Sequence, residues 1–136
     1  MDKYSRHGDE MCGICGVYDA QRRLAPVAAM NEVQRHRGPD DEGYIFIRTK
    51  CNTWQTAVGR ERADGTALPD LNTIDTEAFD LVLASRRLAI LDLSPAGHMP
   101  MCYGDHAYWI TYNGEIFNYR ELRDELRKHG HTFRSD

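Results

Sequence analysis

Residues 11–19 read MCGICGVYD, a short apolar run with glycines at 13 and 16 that ends at Asp19. Its composition and the Asp that closes it predict a strand followed by a turn. The two cysteines, Cys12 and Cys15, admit several chemistries. Half of a zinc site would need a second ligand pair at similar spacing, and Cys51 and Cys102 stand isolated in the chain. A redox pair normally opens a helix after a strand, whereas this one lies inside the strand itself. Cys15 reads as a small buried apolar residue, as free cysteines usually are. Cys12 differs because Met11 precedes it. Initiation at Met11 and removal of that methionine would leave Cys12 with a free α-amine. The amine and the thiol have ordinary pKa values within about one unit of each other, so nucleophile and base would come in one residue.

With 136 residues the chain has the length of one domain, and its 41% hydrophobic and 28% charged residues describe a globular protein rather than a disordered one. A formal net charge of −4, without a basic run, argues against a nucleic-acid or anionic-membrane surface. The leader MDKYSRHGDE lacks an apolar core, and no apolar run is long enough to span a bilayer, so a cytoplasmic location is expected. Thiols stay reduced there, which favours free or catalytic cysteines over disulfides. Small ligands are the default partners.

Further along, LAPVAAMNEVQRHRG predicts a helix with Pro26 in its first turn, Val27, Met30 and Val33 on one face and Gly38 beyond its end. GYIFIR predicts a strand. Residues 48–79 carry turn formers without a sustained period and read as an insertion or long loop. DLVLASRRLAILDL supplies one or two strands, with Arg86 and Arg87 on opposite faces and Arg86 expected to be the solvated one. SPAGHMPM is a breaker-rich loop. AYWITYNGEIF predicts a hairpin-like corner at Asn113-Gly114, and NYRELRDELRKHG a helix with Tyr119, Leu122 and Leu126 on one face and Gly130 at its end. The histidines at 98, 106, 129 and 131 read as loop or surface residues without chemistry.

Taken in order, the Cys12 run, RHRGPDDEGY, RRLAILDLSPAGHMPM and YNGEIFNYRELR resemble the glutaminase domain of glutamine-hydrolysing asparagine synthetases. That is a class II glutamine amidotransferase domain of the N-terminal nucleophile type. The matching segments are about 12–47 and 80–134. The resemblance implies an α+β fold, an αββα sandwich incomplete at its C-terminus, with residues 1–11 a leader that is removed or not translated. It implies that glutamine is the substrate and that Cys12 attacks its side-chain amide. Asn113, through its side-chain amide, and Gly114, through its backbone N–H, would form the oxyanion hole, a pairing that an Asn-Gly corner can supply on physical grounds. Arg87 would clamp the substrate's α-carboxylate, and Glu115 would hold its ammonium.

His36, Arg37 and Asp40 read as a helix end and turn that support the cysteine loop. No cofactor or metal is implied for glutamine hydrolysis. ATP and Mg2+ would serve a synthetase domain of the full-length chain, which would use the ammonia to amidate aspartate. Ser85, Met99 and Phe117 depart from the family's usual His, Gln and Tyr, none at an expected catalytic position. Three other readings stay open: a binding module whose Cys12 is blocked, a redox or zinc module using Cys12 and Cys15, and an amidotransferase that feeds a different acceptor.

Overall fold

The computed structural model describes residues 11–63, 65–90 and 94–133. Four antiparallel strands form the main sheet: β1 (Gly13–Tyr18), β2 (Asp41–Arg48), β3 (Thr53–Val58) and β4 (Leu81–Arg87), in the order β1-β4-β2-β3. A two-stranded sheet, β5 (Met101–Tyr103) with β6 (Tyr108–Ile110), follows in the chain. Helices α1 (Pro26–Val33) and α2 (Tyr119–Lys128) complete the regular elements. The mixed α and β content and antiparallel pairing agree with the expected class. Among the described residues, no helix is long and apolar enough to cross a membrane.

Strand alternation divides the main sheet into two faces. Tyr44, Phe46, Ala57, Val82 and Ala84 point to one, where they pack with Leu24 and Val27 at α1 and with Ile74 and Phe79. Burying each large apolar side chain there contributes roughly 1.5–3 kcal/mol. The opposite face carries Gly43, Ile45, Ser85 and Arg87, and the 94–100 loop lies over it: Ser85 Oγ donates to the Met99 carbonyl at 2.6 Å. Trp54, opposite Ile47 in the register, stacks on His106 of the β5–β6 hairpin and packs at a tilt against Trp109, with ring centroids 4.4 and 5.0 Å away.

Several expectations are corrected. The 48–79 span is not a long loop: it contains β3, the edge strand beside β2, and Leu71, Ile74, Ala78 and Phe79 join or flank the core. Its pairing partner decided its structure more than its own periodicity did. On α1 the buried positions are Val27 and Asn31, one turn apart, while Met30 and Val33 are exposed. Asn113-Gly114 does not turn a hairpin. The β5–β6 turn lies at Gly104–Ala107, where Gly104, Asp105 and His106 all take positive φ. Arg86 is not solvated but almost wholly buried.

Helix α2 ends as expected, with Arg127 and Lys128 in its last turn and Gly130 at φ 87° just beyond. Its Tyr119, Leu122 and Leu126 stripe is about 40% exposed. Beyond the helix, His131 Nδ1 meets Tyr103 Oη of β5 at 2.9 Å.

Candidate active site

Cys12 stands one residue before β1, where β1 runs antiparallel to β4 with Gly13 opposite Arg86. That register sets Cys12 beside the end of β4. The Leu88 N–H donates to Cys12 Sγ at 3.3 Å, and the thiol faces the Leu88 carbonyl at 3.8 Å. Arg37 Nε donates to the Cys12 carbonyl at 3.4 Å. The Asp40 N–H donates to the Arg87 carbonyl at 3.1 Å, and Asp40 Oδ2 accepts the Ala89 N–H at 2.9 Å. The HRGPD segment thus braces the cysteine and the strand end beside it, as its sequence implied.

Cys15 lies three residues along the strand and faces the other side, where its thiol meets Asn31 Oδ1 at 3.9 Å. Burial pushes its pKa up, which keeps it protonated. Sulfurs on opposite faces of one strand do not form a shared clip, and all four cysteines are free thiols.

Arg87 and Arg86 diverge in the same way. Arg87 lies on the Cys12 side, its Nη1 donating to the Ser94 carbonyl at 3.0 Å. Arg86 points under α1, where it meets Glu32 at 2.7 Å, Glu61 at 2.8 Å and Glu42 at 3.2 Å, and its Nε donates to the Asn31 carbonyl. Tyr44 donates to Glu42 in the same cluster. Burial raises the Glu42 pKa, with the Glu61 carboxylate adding to the rise against the Tyr44 bond and Arg86. Burial works in the same direction on Glu61, but Arg86 and Arg35 outweigh it and leave its pKa lowered. Three carboxylates therefore surround Arg86, and the repulsion between Glu42 and Glu61 falls on Glu42, whose pKa is the raised one.

Asn113 is half-buried, and Gly114 and Glu115 are exposed. The Tyr112 N–H donates to Met99 Sδ at 3.3 Å, which ties this segment to the loop over β4. Among the described residues, no hydrogen bond or ion pair joins Asn113, Gly114 or Glu115 to Cys12 or Arg87. The structure thus brings Cys12 and Arg87 to one strand end, and ties the Asn113 segment to the 94–100 loop over β4 through Met99. Two clefts, of 690 Å³ along Arg22, Arg23 and Glu77 and of 540 Å³ along Glu32, Arg35 and Glu61, involve none of these residues.

Sequence reasoning missed a pair beside Arg87. His98 Nδ1 lies 2.7 Å from Asp41 Oδ2, and both side chains are nearly buried. Burial of Asp41 pushes its pKa up, but the bonds from His98 and the Ala63 N–H more than offset this and leave it lowered. Against an ionised carboxylate, Nδ1 must carry the proton and donate. The available signal was a histidine framed by Gly97 and Pro100 in a loop that has to lie on the sheet.

The glutamine amidotransferase domain family matches residues 65–136. The chain therefore belongs to that family. It is 35% identical over 133 residues to a glutamine-hydrolyzing asparagine synthetase of Bacillus subtilis, a match covering 93% of this chain and 16% of that protein. It is 34% identical over 132 residues to a putative asparagine synthetase of Methanocaldococcus jannaschii, covering 85% and 20%. Against a glutamine-hydrolyzing asparagine synthetase of Sandersonia aurantiaca the identity is 32%, covering 92% and 18%. The chain thus spans about a sixth to a fifth of the length of these curated relatives. No solved structure matches it.

Proposed function

We propose that this chain hydrolyses glutamine to glutamate and ammonia with Cys12 as nucleophile, in an N-terminal nucleophile domain of the αββα type. The observation that carries the reading is the Leu88 N–H on Cys12 Sγ, at the strand end that also presents Arg87. Family membership supplies the reaction class.

Cys12 Sγ attacks the side-chain carbonyl carbon of glutamine, and its proton passes to the residue's own α-amine through a water. Asn113 and Gly114 hold the oxyanion that forms. Collapse breaks the C–N bond, the amine returns the proton to the leaving ammonia, and water then hydrolyses the thioester to glutamate. Arg87 binds the α-carboxylate and Glu115 the ammonium. No cofactor takes part in these steps. The ammonia then passes to a synthetase domain outside this chain, which uses ATP and Mg2+ to amidate aspartate. The relatives' names support that acceptor.

While residues 1–11 remain attached, the Cys12 nitrogen is an amide and cannot take the proton, so the mature enzyme begins at Cys12. N-terminal sequencing and intact mass of active full-length protein test this directly. Equal glutamine turnover by protein that retains Met1 would refute the free-amine mechanism.

A further inference from the structure

The loop Ser94–Pro100 is shaped from within and fastened to the sheet at its far end. Ser94 Oγ caps the Ala96 N–H at 3.2 Å, and the His98 N–H donates to the Pro95 carbonyl at 3.0 Å. Two side-chain bonds then tie it down, one from Ser85 Oγ to the Met99 carbonyl and one from His98 to Asp41. Gly43 admits this approach, since a Cβ there would overlap the Met99 carbonyl oxygen and the His98 ring. Asp41 is the direct register partner of Arg87 on β4. The near end of the same loop holds the arginine: the Ser94 carbonyl accepts its Nη1, and Gly97 lies so close to its guanidinium that a Cβ there would overlap it.

From this arrangement we infer that His98 and Asp41 are positioning residues, a strap that fixes the 94–100 loop over β2 and β4 and so holds the Arg87 guanidinium for the substrate carboxylate. The inference rests on the reading of Arg87 as the carboxylate clamp. A flexible arginine loses conformational freedom when it binds, and a guanidinium already held in place loses less. The strap should therefore act on KM and not on the chemical step. Asp41 serves it with two donors on its carboxylate, His98 and the Ala63 N–H, which leave little freedom for the carboxylate to turn away.

The test uses the full-length protein beginning at Cys12, with glutamine hydrolysis and amide hydrogen exchange measured on the same preparations. His98→Ala should raise KM for glutamine about tenfold, leave kcat within about twofold, and speed exchange at 96–99 without altering the β1–β4 pairing. His98→Asn, whose side-chain amide can take the place of Nδ1–H, should restore most of both effects. In an Arg87→Ala background, which itself raises KM, His98→Ala should add almost nothing. A fall in kcat at unchanged KM, an undiminished KM effect without Arg87, or unchanged exchange would each overturn the inference. If Arg87→Ala leaves KM untouched while His98→Ala still frees the loop, the carboxylate-clamp reading of Arg87 fails, and the strap's part in binding fails with it.

Discussion

Arg86 and Arg87 are neighbours on β4 whose guanidinium groups serve opposite faces of the sheet. Arg86 is held by Glu32, Glu42 and Glu61 beneath α1, and Arg87 by the Ser94 carbonyl on the Cys12 side. Removing Arg86 would strand the Glu42 and Glu61 carboxylates, which are only 7% and 15% exposed, whereas Glu32 already faces solvent. Loss of one partner from a buried ionic cluster costs about 3–5 kcal/mol. Arg86→Ala should therefore lower the unfolding free energy by that order in urea titrations, while Arg87→Ala costs under about 1 kcal/mol and acts on glutamine binding. Equal stability losses in the two variants would mean that the Glu cluster does not anchor α1 to the sheet.

Strand alternation alone placed these arginines on different faces, but it could not say which face held water. That depended on Glu32 from α1, Glu42 from β2 and Glu61 beyond β3, which are distant in sequence and meet only in the fold. The same limit hid β3, since TWQTAV becomes a strand by pairing with β2. His98 was passed over because its partner Asp41 lies 57 residues earlier. What was legible was local: the Cys12 strand and its closing turn, Pro26 at the start of α1, and the capped end of α2. Asn113-Gly114 was misplaced as a hairpin turn because dipeptide preference competes with the glycine-led turn at 104–107, which brings Tyr103 opposite Tyr108.

Cys12 and Cys15 should respond differently to removal. In full-length protein beginning at Cys12, Cys12→Ala should abolish glutamine hydrolysis. Cys15→Ala should keep most of it, with a stability loss of roughly 1 kcal/mol from a partly buried thiol packed beside Asn31. Activity that survives at Cys12→Ala and vanishes at Cys15→Ala would transfer the chemistry to the α1 side of the sheet.

Asn113 is proposed to act in the transition state. Deleting one oxyanion donor lowers kcat by about 10²–10³-fold. Asn113→Ala should do so with KM for glutamine little changed, the reverse of the pattern expected for Arg87→Ala. Steady-state kinetics on the two variants side by side decide it. A change in KM alone at Asn113→Ala would leave this residue with only a conformational role.

Glu42 supplies a pH dependence whose sign can be worked out. Its carboxyl is nearly buried, accepts from Tyr44 and neighbours both Arg86 and Glu61, and burial raises its folded-state pKa. In the unfolded chain a glutamate titrates near ~4.3. Between that value and the raised one, the folded protein binds more protons than the unfolded one, so this group's contribution to stability declines as pH rises across the window. The lowered pKa values of Asp41 and Glu61 act with opposite sign, giving stability above the unfolded value that is lost as pH falls. Wild type alone would therefore show a compensated profile. Glu42→Gln separates the terms, because glutamine stays neutral at every pH and can still accept from Tyr44. Chemical denaturation from pH 4 to 8 should show the variant gaining on wild type as pH rises through the window, then running parallel to it above. A difference that is flat, or that slopes the other way, would show that Glu42 is ionised in the fold and that Arg86 alone balances the cluster.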